Sequence, residues 1–356
     1  MEIILCNLTH DYHVIANNKM PLSVGVIGSY VKEQMPNTNL KIFKQISLLE
    51  KYLTEISMGN GKGIIVAFSN FIWNQSLNIE IAKIIKIKFP ESIIIFGGPN
   101  FSIASEGKEE FLLTQREIDF YIPHEGEYAF YELIKLSENC DFDLNKIKLL
   151  KPKQCSYIDK NSYIETELLP RIKIIDTPSP YKMGLMDSFF GKFVPLIQFT
   201  RGCPFRCSYC TEGGSYWKNV FRKNDDFVEE ELDYIAQKCD VNDELHVADS
   251  NFGMYAQDEI YASLIAKVKL KYNWPNTILV ATGKNSKERV IRVSETLDGL
   301  IPLSVSVQST DLTVLKNVKR KNIKTDDIFS VELSNKNSGT GSYADIILTL
   351  PVQRYI

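Results

Sequence analysis

Cys203, Cys207 and Cys210 form a C-x3-C-x2-C pattern near the middle of the chain. An apolar run at 194–199 and a Thr-Arg-Gly turn at 200–202 precede them. Three thiolates on one short loop can bind three corners of an iron–sulfur cube, and no fourth cysteine lies in register nearby. One iron would stay open to a small molecule, so a cluster here could carry out chemistry as well as hold an electron.

Two other uses of these cysteines are open from the spacing alone. A structural zinc ion takes four closed ligands; the next candidates are Cys239 and His246, which lie in a predicted helix-then-strand segment and not in a second knuckle. Disulfides fit less well, because seven cysteines is an odd count and the sequence shows neither a signal peptide nor a transmembrane run. We therefore expect a cytoplasmic protein in a reducing compartment.

Length and charge narrow the class of protein. The 356 residues are enough for two ordinary domains, and a content of 44% hydrophobic and 24% charged residues is typical of a globular protein. The formal net charge of −3 predicts no nucleic-acid partner. The same composition predicts no insertion into a membrane.

The first part of the chain, residues 1–140, alternates apolar strands with helical patterns. Strands are predicted at 2–6, 40–43, 63–68, 92–96 and 119–122, and helices at 22–34, 75–88 and 128–137. Continuous apolar strands between helices indicate an α/β fold with a parallel sheet that is covered on both faces. Five such units favour the flavodoxin-like (Rossmann-type) strand order, in which ligands bind at the carboxyl ends of the strands.

Three polar or glycine-containing loops follow the third, fourth and fifth of these strands, at 69–73, 97–100 and 124–127. Glycines at such turns let the backbone approach a flat or phosphate-bearing ligand closely. Because the loops share one edge of the sheet, they predict a ligand site there, which a bulky side chain at Gly98 should block. The candidate residues are Ser69, Asn70, Gly97, Gly98, Pro99, Glu125 and Gly126.

Residues 141–190 have an irregular pattern and are interpreted as a linker that contains a small hairpin about Lys160 and Asn161. From residue 191 onward βα units resume, which predicts part of a (β/α) barrel with its site at the carboxyl ends of the strands. Barrel strands are predicted at 196–199, 244–248, 277–281, 303–307 and 345–350, and helices at 227–238, 257–271, 287–297 and 326–334.

The segment Gly202-Cys-Pro-Phe-Arg-Cys-Ser-Tyr-Cys210 resembles the signature of the radical S-adenosylmethionine (SAM) superfamily, in which an aromatic residue, here Tyr209, precedes the third cysteine. The resemblance implies a [4Fe-4S] cluster whose open iron binds SAM through its amino and carboxylate groups. It also implies that one electron, supplied by an external flavodoxin- or ferredoxin-type donor, splits the sulfonium and releases a 5′-deoxyadenosyl radical.

The resemblance also implies which residues of the barrel meet SAM. Asp249 and Asn251 would lie where the second strand of the family meets the cofactor. Lys284 and the pair Gln308 and Ser309 would offer groups to its carboxylate and ribose, since an ammonium or an amide suits either. The family core has about six strands and this chain ends just after the fifth, so we expect the radical SAM core at 191–356 to be truncated. We also expect the natural gene product to be longer, or another chain to complete the barrel.

The first domain resembles the cobalamin-binding domain that precedes many radical SAM cores, through the segments 20–25, 96–100 and 125–127. There are two departures. His124 stands where a glycine is usual, and the Asp-x-His-x-x-Gly motif that supplies a histidine to cobalt is only half present at 11–16. The resemblance therefore implies bound cobalamin, without His13 as a ligand of the cobalt.

Together the two resemblances imply a cobalamin-dependent radical SAM enzyme. Its expected reaction is methyl transfer to an unactivated carbon of a small molecule or natural-product intermediate. Three alternatives stay open: a catalytically idle protein that binds cluster and corrinoid, an enzyme that rearranges or cyclises its substrate, and an RNA-modifying enzyme, against which the acidic balance argues.

Overall fold

The computed structural model describes residues 1–10, 17–56, 59–240, 243–283, 285–301, 304–322 and 343–351. The chain divides into two compact units. The first comprises Met1–Ile172 and Asp176–Asp187, and the second comprises Lys173–Ile175 and Ser188–Ile356. Within the described residues, no helix combines the length and the apolar character that crossing a membrane requires.

A seven-stranded sheet forms the centre of the first unit. Its strands are β1 (Glu2–Thr9), β2 (Asn39–Gln45), β3 (Ile64–Ser69), β4 (Ile93–Gly97), β5 (Phe120–Ile122), β6 (Ser156–Asp159) and β7 (Ser162–Glu165). The order is β2-β1-β3-β4-β5-β6-β7, and the first five strands pair in parallel. This is the flavodoxin-like order that the sequence predicts.

Helices cover both faces of this sheet. They are α1 (Leu22–Gln34), α2 (Ile46–Glu55), α3 (Gln75–Lys88), α4 (Ser105–Thr114), α5 (Glu127–Asn139) and α6 (Leu144–Leu149). Alternate residues of β1 enter different cores: Ile3 and Leu5 pack in the cluster that contains α1 and α5, whereas Ile4 and Cys6 pack in the cluster that contains α2 and α3. Such two-sided burial explains why the strand sequences are continuously apolar.

The predicted hairpin is present as β6 and β7, and it extends the sheet beyond β5 in the antiparallel direction. Lys160 and Asn161 form its two-residue turn with φ of 46° and 66°. Two consecutive positive φ angles are what a type I′ turn requires, because its twist matches that of the flanking strands.

The strands of the second unit range from two-residue ladders to the eight residues of β11. They are β8 (Leu196–Ile197), β9 (Thr200–Arg201), β10 (Phe221–Arg222), β11 (Leu245–Phe252), β12 (Ile278–Thr282), β13 (Ser304–Gln308) and β14 (Tyr343–Ile346). Its helices are α7 (Asp225–Ala236), α8 (Gln257–Tyr272), α9 (Lys287–Thr296) and α10 (Leu312–Asn317). The strands form a parallel sheet of order β12-β11-β8, a parallel pair β13-β14 and an antiparallel pair β10-β9.

The last predicted strand is wrong in its bounds. The strand ends at Ile346 instead of running to residue 350, because Thr349 takes a left-handed φ of 69° and the chain turns. The turn places Leu350 in a small core with Val314 and Val318. The predicted helix at 326–334 lies outside the described residues.

Candidate cluster and cofactor sites

The cysteine loop begins and ends at one short antiparallel ladder. Phe221 pairs with Arg201 and Arg222 pairs with Thr200, so β9 and β10 close the loop at its base. Inside the loop, the backbone N–H of Cys203 donates to the carbonyl oxygen of Trp217 at 2.9 Å. These backbone bonds hold the loop in one shape without any contribution from its sulfur atoms.

Two glycines are required for this shape. Gly202 has a φ of 108°, and a Cβ there would lie 2.4 Å from the carbonyl oxygen of Asn219. A Cβ at Gly213 would lie 2.1 Å from the carbonyl oxygen of Cys207. No real Cβ makes contacts this short, so any larger residue would force the loop to move.

The three cysteines differ in exposure: Cys207 is buried, Cys203 is half-buried and Cys210 is exposed. In the part of the chain that the structure describes, no three His, Cys, Asp or Glu side chains converge on a point where a single metal ion could bind. A single zinc ion needs such convergence, whereas each thiolate on an iron–sulfur cube binds a different iron. Cys239 and His246, the other zinc candidates, lie after α7 and within β11.

Asp249 lies on β11 and hydrogen-bonds to the segment just before the cysteine loop. The side chain is buried, and its Oδ1 accepts hydrogen bonds from the backbone N–H groups of Phe199 at 2.8 Å and Thr200 at 3.1 Å. Its Oδ2 is buried without a hydrogen-bond partner among the described residues. Burial raises the pKa of Asp249 to about 7, although the two backbone hydrogen bonds act in the opposite direction. These contacts give Asp249 a structural role, and its contact with SAM stays a prediction.

The next two residues of β11 reach the loop at different points. Asn251 donates from Nδ2 to Sγ of Cys203 at 3.3 Å. Ser250 donates from Oγ to Oε2 of Glu212, beyond the third cysteine, at 2.6 Å. With Asp249, three consecutive residues thus hold the segment before the loop, its first cysteine and the segment after its last cysteine. These three separate contacts were not predicted from the sequence.

Tyr209 lies in a small core beside the loop. Its ring packs against the cluster of Val314, Val318 and Leu350, and its hydroxyl accepts a hydrogen bond from Nη1 of Arg320 at 2.8 Å. The backbone N–H of Ser208 donates to the carbonyl oxygen of Val318 at 3.1 Å. The aromatic residue of the signature therefore fastens the loop to the turn after α10.

Gln308 and Ser309 lie at the end of β13, which pairs with β14. Gln308 has a left-handed φ of 65°, and its Oε1 is buried with no hydrogen-bond partner among residues that the structure describes. Ser309 is buried, and its Oγ accepts from the N–H of Asp311 at 3.2 Å, just before α10. The Oε1 of Gln308 is thus available to accept a hydrogen bond from a ligand. The contact of Ser309 is structural. Lys284 lies outside the described residues.

In the first unit, a chain of polar side chains crosses the carboxyl ends of β1 and β3. Asn7 donates from Nδ2 to Oγ of Ser23 at 3.2 Å, and the hydroxyls of Ser23 and Ser69 are 3.1 Å apart. The Oδ1 of Asn7 and Oγ1 of Thr9 are buried there without partners among the described residues. Asn7, Thr9 and Ser23 were not predicted from the sequence. The signal for Asn7 and Thr9 was the presence of polar residues at the end of an apolar strand, whereas Ser23 lies in α1.

The loops after β3 and β4 are bonded to each other. The N–H of Asn70 donates to the carbonyl oxygen of Gly97 at 2.6 Å, and its carbonyl oxygen accepts from the N–H of Asn100 at 3.2 Å. Gly98 has a φ of 113°, and a Cβ there would lie 2.7 Å from the carbonyl oxygen of Asn70. A larger residue here would therefore also disturb the neighbouring loop, and its effect on a ligand stays a prediction. Pro99 is exposed.

The loop after β5 is held by the segment beyond the hairpin. Arg171 donates from Nη2 to Oε1 of Glu125 at 2.7 Å and from Nε to Oε2 at 3.0 Å. His124 has a φ of 64°, which explains why a glycine suits this position. Gly126 precedes α5, and a Cβ there would lie 3.1 Å from Cδ1 of Ile27. The half motif that contains His13 lies outside the described residues.

The family profile of the radical SAM superfamily matches residues 197–351. This match includes the cysteine loop and confirms its resemblance to the superfamily. It is 28% identical over 94% of its length to the cobalamin-dependent radical SAM methyltransferase TokK of Streptomyces tokunonensis. It is also 28% identical over 94% of its length to 2-(S-pantetheinyl)-carbapenam-3-carboxylate methyltransferase of Streptantibioticus cattleyicolor.

The chain spans 49% of the length of each of these two relatives. Among solved structures, it is similar to the cobalamin-dependent SAM radical enzyme OxsB, with a TM-score of 0.69 at 18% identity over 98% of this chain and 49% of that one. It is also similar to the radical SAM methyltransferase TsrM of Kitasatospora setae, with a TM-score of 0.69 at 12% identity over 99% of this chain and 69% of that one. At these identities the structural similarity establishes the fold.

Proposed function

We propose that the protein is a cobalamin-dependent radical SAM enzyme that cleaves SAM reductively at a [4Fe-4S] cluster and methylates an unactivated carbon of a small molecule or natural-product intermediate. One observation supports this most directly: the three cysteines lie on a loop that is closed by β9 and β10 and held by Asp249, Ser250 and Asn251. The methyltransferases to which the chain is similar support the choice of reaction.

The residues present fit the cluster. Cys203, Cys207 and Cys210 supply three thiolates from one preformed loop, and they leave one iron for SAM. When bound, the cluster and SAM supply a 5′-deoxyadenosyl radical, and cobalamin supplies the methyl group. The electron would come from an external flavodoxin- or ferredoxin-type donor. The buried acceptor on Gln308 and the ammonium of Lys284 are our candidates for holding the ribose and the carboxylate of SAM.

The residues of the first unit also fit a corrinoid. Asn7 and Asn70 each bury an Oδ1 without a donor, and Thr9 buries a hydroxyl, all within the described strand ends of β1 and β3. An unpaired buried polar group costs about 1–3 kcal/mol, so a ligand that pairs with these atoms gains that energy. The amide side chains that surround a corrin ring are suitable donors. We assign cobalamin binding to this edge of the first unit, with Ser69, Gly97, Gly98, Pro99, Glu125 and Gly126 shaping it.

Metal analysis of anaerobically purified protein tests both assignments. We expect iron and sulfide in the ratio of a four-iron cluster, bound cobalt, and the broad visible absorbance of an iron–sulfur protein. Replacing Cys203, Cys207 and Cys210 by alanine should remove iron and sulfide and leave cobalt. Cys239→Ala is the matched control, because it removes a cysteine outside the loop. Stoichiometric zinc, with no iron gained on reconstitution, would contradict the proposal.

A second reaction type has some support, because the chain is 24% identical over 73% of its length to an anaerobic magnesium-protoporphyrin IX monomethyl ester cyclase of Synechocystis. Product analysis with SAM that carries a deuterated methyl group separates the possibilities. Transfer of the labelled methyl to a substrate supports methylation, whereas an unlabelled cyclised or rearranged product supports the second type. An idle protein would release no 5′-deoxyadenosine.

A further inference from the structure

Asn251 differs from its neighbours on β11 because it contacts a sulfur atom. Its Nδ2 lies 3.3 Å from Sγ of Cys203, whereas the hydrogen bonds given above for Asp249 and Ser250 join them to backbone N–H groups and to a carboxylate. We propose that Asn251 sets the reduction potential of the cluster by donating this hydrogen bond to the Cys203 thiolate. The inference rests on the proposed function, in which the loop holds a four-iron cluster.

The backbone of Asn251 is fixed. Its carbonyl oxygen accepts from the N–H of Met254 at 3.1 Å, and Gly253 between them has a left-handed φ of 84°. The carbonyl oxygen of Phe252 accepts from the N–H of Gly283 at 2.8 Å, which ties this turn to the end of β12. With only 8% of the residue exposed, the amide is held at the sulfur and shielded from competing water.

A hydrogen bond to a cluster thiolate favours the reduced cluster, because one added electron increases the negative charge on the sulfur atoms. The bond is stronger in a site of low dielectric than in water. Reduction by a flavodoxin- or ferredoxin-type donor adds one electron and breaks no protein bond. An amide at position 251 therefore raises the potential and makes the electron easier to deliver, before SAM is cleaved.

The loop contacts of β11 provide a control. Ser250→Ala removes the hydrogen bond to Glu212, and so loosens the loop, but leaves the N–H that faces the sulfur. Asn251→Leu removes that N–H with little change in volume. Asn251→Asp keeps the shape of the amide and replaces its N–H donor with a carboxylate oxygen. The comparison separates an effect of the donor from an effect of loop position.

The test is a redox titration of the reconstituted full chain, followed by the electron paramagnetic resonance signal of the reduced cluster, without SAM. Iron and sulfide are measured for each variant. We expect the clusters of Asn251→Leu and Asn251→Asp to have lower reduction potentials than that of wild type. The potential of Asn251→Asp should be the lowest at alkaline pH. Ser250→Ala should have the same reduction potential as wild type. If Asn251→Leu does not retain its cluster, Asn251→Ala, which removes the N–H without adding a charge, decides the question.

Fully loaded variants of Asn251 with the wild-type potential would overturn this inference alone. So would a shift in Ser250→Ala equal to that in the Asn251 variants, because loop position would then be the cause. A wild-type chain that takes up no four-iron cluster would overturn the proposed function, and this inference with it.

Discussion

Replacing Asp249 by asparagine should remove a pH dependence from the stability of the second unit. Burial raises the pKa of this carboxyl from its ordinary 3.8 to about 7. The folded protein therefore binds the proton more tightly than the unfolded chain does. The resulting stability is fully present below about pH 4 and is lost as the pH rises to about 7. Asparagine resembles the protonated acid, because its carbonyl oxygen can still accept from Phe199 and Thr200.

The magnitude follows from the size of the shift. Each pKa unit corresponds to about 1.4 kcal/mol, so a shift of about three units gives an upper limit of about 4 kcal/mol between acid and neutral pH. We expect the free energy of unfolding of wild type, relative to Asp249→Asn, to fall by about 2–4 kcal/mol between pH 4.5 and 8.

Urea unfolding of the metal-free, reduced protein followed by circular dichroism at several pH values measures this difference. Asp298→Asn is the matched control, because Asp298 is an exposed aspartate of the same unit whose φ of 45° an asparagine also tolerates. If the free energies of unfolding of wild type and Asp249→Asn change equally with pH, the argument that burial holds the proton on Asp249 is refuted.

Three further predictions concern single contacts. Lys223→Ala should destabilise the protein by about 3–5 kcal/mol in urea unfolding, because it removes the ammonium that lies 2.6 Å from the buried carboxylate of Glu231; the double variant Lys223→Met, Glu231→Leu should recover most of that loss. Gly202→Ala should lower iron and sulfide content after reconstitution, since its Cβ strikes a backbone oxygen. Gly98→Ala should lower the melting temperature even without cobalamin, whereas Pro99→Ala at the exposed neighbouring position should not.

The sequence predicts well the elements that bury continuous apolar runs. The positions of β1, β3 and β4 were predicted because both faces of these strands are buried in a core. Strands of this kind carry long apolar runs. The helices α2 and α4 were not predicted, since short amphipathic segments carry a weaker periodic signal.

At the site, the spacing of the cysteines predicts the cluster loop but not what holds it. The two-residue strands β9 and β10 pair across 202–220, and no local pattern marks such a long-range contact. The role of Asn251 is hidden for the same reason, because its partner Cys203 is distant in sequence. Glu125 was predicted to lie at the ligand site of the first unit. In the structure it forms an ion pair with Arg171, which lies in the segment interpreted as a linker.

The hairpin beyond β5 has a consequence for the solution behaviour of the first unit. Without it, β5 would end the sheet and present unpaired backbone groups to other chains, which invites intermolecular strand pairing. β7 takes the edge position instead; it has four residues, and its Glu165 forms an ion pair with Lys108 at 2.6 Å. A short, charged edge strand is a poor template for aggregation. We therefore expect the hairpin to hinder intermolecular strand pairing at this edge of the first unit.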